Sequence, residues 1–533
     1  MTRPTTTGKA QDLITFTRST TGTALAKISY GEELVTNGDF SAGTTGWSSY
    51  RGAALSASGG SFVVSADTGS YGGSGSQGIT TVAGKTYTLS FQFISATGSN
   101  SYVAVRTNPN VGVGTTIAFV TTSGLSAGMH SATFTATGTT TYITVVAQNP
   151  NDVTTVDNIS VKEVSFDQPD GTLQLFNHPI NKPRIEYDAE GNCLGLLVEE
   201  GRTNLVTQSE FASGYGNHYL PLTRNQTASP DTNINAASAV PTAVNSEHYL
   251  EYVLSSPSSG TYTQSVFVKA NGYSKVALTP VHVGADQGAT STAQFDLTEG
   301  TSTQSGSAVP YISNLGNGWY RIAITYTATG TVTNHRFRVQ VLSDSYGYVW
   351  QANGADGIYV YGAQLETGSF PTSYIPTSGS AVTRSADVAS LAVSEFGYNQ
   401  DQGSFVIKFD YNDPQNVGTK FLLSSTSSSR FAYTNGNTST FYSYDGVTSL
   451  NYGSLSGDGT QYILATGMDS AGSVGVVNGG TLSTSTATPQ DNVSTNIYIG
   501  SSAGTNQFLS AHIKSVQYYP LRLSNAQLQA LTI

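Results

Sequence analysis

Short runs of alternating apolar and polar residues, separated by turns rich in glycine, serine and threonine, recur from one end of this chain to the other. YTLSFQFIS, SYVAVRT, TYITVVAQN, TYTQSVFVKA, WYRIAITYTA and QYILATGM each place successive side chains on opposite faces. That is the two-residue period of a half-buried strand. Chains of this kind stack antiparallel sheets face to face, so the expected fold is all-β: tandem jelly-roll sandwiches joined by a short hairpin segment. With 533 residues there is room for several separate cores. Charged residues make up only 11%, and aromatics at 10% exclude a disordered chain.

The formal net charge of −11 is spread along the sequence. It argues against a nucleic-acid partner, which needs clustered lysine and arginine. A single cysteine, Cys193, excludes an internal disulfide and is compatible with folding in a reducing cytoplasm. The opening MTRPTTTGKAQDLITF has no signal-peptide core, and no run approaches the roughly 20 apolar residues of a membrane span. A soluble chain with no membrane insertion is expected.

Arg184 to Leu205, RIEYDAEGNCLGLLVEEGRTNL, holds the densest acidic cluster. Its pattern predicts a hairpin: RIEY as one strand, Asp188 to Gly191 as an acidic turn, and CLGLLV as a buried strand. We expect this segment to be a structural joint between modules, with Cys193 an inert small hydrophobe inside it.

From Leu34 a unit begins with ELVTNGDFSAGTTGW, runs through about eight short strands and closes on VDNISVKEV. Its two ends, Asn37-Gly38-Asp39-Phe40 with Trp47 and Asp157-Asn158-Ile159, resemble the jelly-roll carbohydrate-binding modules of glycan-active enzymes. The resemblance covers roughly residues 33–164. It implies a structural calcium near Asp39 and Asp157, although Ser41 stands where that family more often has an acid.

Four further motifs, LITFTRSTTGTAL, PRIEYDAEGNCLGLLVEEGRTNL, NGWYRIAIT and YVYGAQLETGSFPTSYIPT with TRSAD, occur in that order. Together they resemble a family of tailed-bacteriophage virion proteins, the fibre, spike and appendage subunits of marine-phage type. In that family the LITFTR segment runs directly into the PRIEYD hairpin. Here the sugar-module-like unit is inserted between them, its ends near Tyr30 and Val164. Adjacent insertion points leave the host strands free to pair, so Leu13 to Arg18 is expected against the Arg184–Val198 hairpin. The final unit, ending HIKSVQYYPLRLSNAQLQALTI, resembles a concanavalin/laminin-G sandwich, and Ser524-Asn525-Ala526-Gln527 fits a capping box opening a short helix. The expected division is 1–32 attachment segment, 33–164 inserted jelly roll, 165–205 hairpin joint, 206–390 second jelly roll and 391–533 concanavalin-like sandwich.

No HExxH, P-loop or cysteine pair is present, and the seven histidines do not fall at ligand spacing. Glu199-Glu200 is the tempting acid pair. Neighbours on a strand face opposite ways, so the two cannot flank one glycosidic bond, and a structural ion pair with Arg202 is expected. Asp286, Asp296 and Asp344 are acids that could meet in space. Trp47 and Trp319 are assigned to cores. Trp350, with Tyr346 and Tyr348, and the tyrosine-rich 441–453 stretch carrying Tyr442 and Tyr444 are the candidate glycan-contact aromatics, with a core or inter-subunit contact the favoured reading for Trp350. For 441–453, a receptor-facing loop and a plain hairpin are both open.

The resemblance implies a non-enzymatic virion protein, a tail fibre or spike assembled in the host cytoplasm. It would attach through its N-terminus, associate as a homotrimer with other virion proteins, and bind host-surface polysaccharide. A capsid head fibre and a polysaccharide depolymerase are the alternatives.

Overall fold

The computed structural model describes residues 14–533 apart from 68–71, 99–100, 112, 122–126, 169, 256–257, 285–290, 330–331, 412–417, 426–431, 435–439, 490–494 and 506. Leu13 and Asp286 lie outside the described residues. Every sheet is antiparallel in its named pairings, and the six large sheets face one another in pairs around three hydrophobic cores. The fold is all-β, with one α-helix among the described residues, Asn525–Ala530. Its capping box is formed by Ser524 and Gln527 as the sequence predicts.

The first sandwich encloses Trp47, Phe62, Phe91 and Phe134. One of its sheets orders the strands Gly128–Thr135, Thr86–Ala96, Val153–Phe166, Gly22–Glu33 and Thr172–His178. The twelve-residue strand Gly22–Glu33 falls where the sequence reads as turn-rich and then featureless. It is a strand because it is paired on both sides, to Val153–Phe166 and to Thr172–His178. Tyr30 lies directly opposite Val164, so the two expected ends of the inserted unit are cross-strand partners. Below them Ala26, Ile28, Val164 and Phe176 form a small core of their own, apart from the main one.

The second sandwich is built from two six-stranded paths, and its core holds Phe295, Phe337, Val266 and Ile324. The third sandwich does not begin at residue 391. One of its sheets starts on Thr15–Thr17 and continues through Val388–Ala392 and Asn496–Ile499. The other starts on Ile185–Tyr187 and Cys193–Val198 and continues through Ala511–Tyr519. The hairpin is therefore the edge of a sheet and not a free-standing joint, and the expected boundaries at 165–205 and 391–533 cut through one sandwich.

The N-terminal strand also departs from expectation. Phe16 pairs with Ala389 and not with the hairpin. Phe16, Leu196 and Val198 nevertheless share one core, meeting across the gap between the two sheets. Sequence alternation specifies that a side chain faces inward, but not which sheet its backbone joins.

Within the hairpin, Gly191 takes φ 80° and its N–H donates to Asp188, closing the acidic turn as predicted. Gly195 is needed for a different reason. At φ 129° a Cβ there would stand 2.5 Å from the Ile513 carbonyl oxygen. Cys193 is exposed, contrary to the buried position read from CLGLLV. It sits next to the turn, where Asn192 is also exposed, and burial along the strand is complete only from Gly195.

Candidate functional site

Five charged residues from three of the four motifs meet in one buried junction. Arg18 of LITFTR donates from Nη1 to Asp387 Oδ1 at 3.0 Å and from Nη2 to the Pro179 carbonyl at 3.0 Å. Arg184 of PRIEYD donates to Asp387, to Glu199 Oε2 at 2.8 Å, to the Thr23 carbonyl at 2.8 Å and to Ser373 Oγ at 2.5 Å. Arg384 of TRSAD lies 3.4 Å from Glu199 and donates to the Glu200 carbonyl at 2.7 Å. All five side chains are buried. Charges this deep survive only when each is paired and hydrogen-bonded. Burial opposes the Glu199 charge, yet Arg384 and Arg184 hold its carboxyl well below the usual range. Burial likewise opposes the Arg184 charge, but Asp387 and Glu199 outweigh it and raise its pKa.

Glu199 and Glu200 lie just beyond the strand Cys193–Val198 and take different partners. Glu200 pairs with Arg202 and lies 3.8 Å from Lys420. Arg202 thus serves Glu200, whereas Glu199 takes Arg184 and Arg384. Beside the junction, His178 is buried and held neutral, its pKa pushed down to about 3 by burial and by Arg184 and Arg18. On the hairpin's other flank His512 bridges two acids, 2.5 Å from Asp410 Oδ2 and 2.7 Å from Glu186 Oε2. Despite burial, these acids push its pKa up to about 10.

The predicted glycan-contact residues do not gather. Trp350 donates its indole N–H to the Val341 carbonyl and packs edge-on against His248 and Tyr273, so it belongs to the second core. Tyr346 donates to Asp296, which is paired with Lys275, and Tyr348 is half-buried nearby. Asp344 is exposed in the same turn, and no hydrogen bond or ion pair joins it to Asp296. Tyr442 stacks on Tyr433 and Tyr444 donates to the Gly446 carbonyl, both on the strand Thr440–Tyr444. That strand pairs with Ser449–Ser454, so 441–453 is a hairpin. Trp47 stacks in the first core against Phe40 and Phe62, and Trp319 is buried with its N–H on the Ala228 carbonyl. Asp39 accepts from the Ser41 hydroxyl at 3.0 Å, while Asp157 accepts from the Asn158 N–H at 2.7 Å. Among the described residues no three His, Cys, Asp or Glu side chains are grouped to hold a metal ion.

What the sequence does not announce is a polar cleft of about 370 Å³ between the first and second sandwiches. Three contacts join the two sandwiches: Leu175 N–H to the Pro230 carbonyl at 2.8 Å, Thr232 Oγ1 to Gln174 at 3.0 Å, and Asn225 Nδ2 to the Ala127 carbonyl at 2.8 Å; Leu175 and Thr232 line the cleft. In its roof the Tyr361 hydroxyl lies 3.0 Å from Asp231 Oδ2 and 3.4 Å from Glu210 Oε1. Burial, and then the Asp231 charge, push the Glu210 pKa up to about 7. Glu210 stands alone in TQSEFASG, and Asp231 reads as an ordinary turn residue after Pro230. An isolated acid in a chain poor in charge is the only signal the sequence offers for either.

No family model matches the sequence, and no curated protein matches it. Among solved structures the chain is similar to the tandem CBM22-1–CBM22-2 domains of Paenibacillus barcinonensis Xyn10C, with 12% identity over 65% of this chain and 99% of that one at a TM-score of 0.22. A CBM4 structure is 21% identical over 23% of this chain and 99% of its own, with a TM-score of 0.19. Domains LG4-5 of the mouse laminin α1 chain are 11% identical over 64% and 94%, with a TM-score of 0.18. Overlaps at this level carry no functional argument.

Proposed function

We propose that this chain is a structural subunit of a tailed-phage virion, a fibre or spike-type appendage that attaches by its N-terminus and binds host-surface glycan as a homotrimer. One observation supports the reading above the others. Arg18, Arg184, Glu199, Arg384 and Asp387, which lie up to 369 positions apart, are all residues of the resemblance motifs and meet in one buried junction. The motifs thus act together as a frame that ties three sandwiches to the N-terminal strand. A frame of this kind suits a load-bearing adhesive part. Several weak sites on a symmetric oligomer would give it avidity without covalent chemistry.

Imaging of virions carrying a label at Thr2 tests the placement. Label on the tail or its base is the expected result, and label distributed over the head would replace the tail appendage by a head fibre. The pairing of Glu210 with Asp231 is the observation that favours the depolymerase alternative, since glycosidases use two nearby carboxyl groups. Incubation with purified host polysaccharide separates the two readings. Constant chain length is expected, and progressive shortening would make the protein an enzyme.

A further inference from the structure

The floor of the inter-sandwich cleft is the outward face of three neighbouring strands in the first sandwich, and its residues fall in two cross-strand rows. Ser131, Ser90 and Ser160 are successive partners in one row, and Thr133, Thr88 and Lys162 in the next. Directly opposed residues stand about 5 Å apart and the rows lie about 7 Å from each other. The result is a grid of five hydroxyl side chains and the Lys162 ammonium, on the scale of a sugar ring. Thr88 Oγ1 in the floor and Asn177 Oδ1 on a wall are buried without a hydrogen-bond partner among the described residues. Native structures rarely leave such atoms unsatisfied, so this lining has more polar capacity than its own contacts use.

The roof restricts what that occupant can be. Asp231 is already saturated, accepting from Ser229, the Asn233 N–H, Asn235 and Tyr361. Among the described residues Glu210 has only the long, shared hydrogen bond to Tyr361, which leaves it an open acceptor above the floor. A metal ion would need several free carboxylate oxygens, and one remaining acid does not supply them. An anionic ligand would meet two acids in the roof, Glu210 and Asp231, against the single cation Lys162 in the floor. An apolar one would strand the serine and threonine hydroxyls at a cost for each.

We propose that this cleft holds one neutral sugar residue of a glycan, its hydroxyls resting on the serine–threonine grid and donating to Glu210. The proposal rests on the glycan-binding reading above and locates that binding between two modules, away from the aromatics first read as glycan contacts. The test presents full-length protein to an array of defined neutral and anionic oligosaccharides. Wild type is compared with Ser131→Trp, which plugs the cleft from an exposed floor position, and with the near-isosteric Thr88→Val.

Retention of neutral oligosaccharides by wild type is expected, weakened about tenfold or more in Ser131→Trp and several-fold in Thr88→Val, with both variants melting as wild type does. Equal retention by all three proteins would overturn the cleft while leaving glycan binding elsewhere on the molecule intact. A preference for anionic oligosaccharides would overturn the neutral assignment. Retention by none of the proteins would overturn both the site and the glycan-binding reading.

Discussion

Asp387 accepts from two arginines and from the Glu199 N–H, and it has no exposed surface. Removing it leaves Arg18 and Arg184 buried with a positive charge unbalanced. Asp387→Ala should therefore destabilise the protein by about 3–5 kcal/mol, measured as a shift in the denaturant midpoint. Glu210 is the opposite case. Its folded-state pKa near 7 exceeds the ordinary 4.5, so the native state holds this proton more tightly than the unfolded chain does. The cost of ionising it is absent below pH 4.5 and complete above about 7. Glu210→Gln should accordingly stabilise the protein at pH 8, on the order of 1–2 kcal/mol, and change little at pH 4. Equal effects at both pH values would show that ionisation is not what limits stability there. Neither residue's role was legible in the sequence. Burial and pairing across hundreds of positions are products of topology, and a lone Glu or a turn Asp has no local pattern that reports them.

At the scale of elements, local signals were read correctly and distant pairings were not. The acidic turn at Asp188–Gly191, the CLGLLV strand and the capping box at Ser524 all depend on residues a few positions apart, whereas 441–453, left open between loop and hairpin, is a hairpin. The strand Gly22–Glu33 was missed because its partners lie some 140 residues away, and the N-terminal strand was given the wrong neighbour for the same reason. Its true neighbour makes a distinct prediction. Phe16→Asp should expose the edge of Val388–Ala392, so amide hydrogen exchange there should accelerate while the first sandwich keeps its protection. Leu196 and Leu197 are both buried, Leu196 in the third core. Leu196→Asp should unfold that sandwich at about 3 kcal/mol or more, read by near-ultraviolet circular dichroism.

For the whole molecule, two histidines set opposite limits on stability. His178 must gain a proton it is buried without, so stability should decline as pH falls from 6.5 towards 3. His512 gains its proton on folding. Its contribution is full below 6.5 and is lost as pH rises towards about 10. Thermal unfolding followed across this range should thus peak near neutrality, and His512→Gln should flatten the alkaline arm alone. The first sandwich stands outside this arrangement. It leaves the frame through Tyr30 and returns through Val164, which are direct partners on neighbouring strands, and the small core beneath them is separate from its own. Closing those two residues with a short turn would replace 31–163 by an ordinary hairpin. The module is therefore a cartridge with a single gate: excision there should leave the buried junction untouched. The cleft takes its floor from this cartridge and its roof from the second sandwich, so the same excision would remove the floor and leave Glu210, Asp231 and Tyr361 in place.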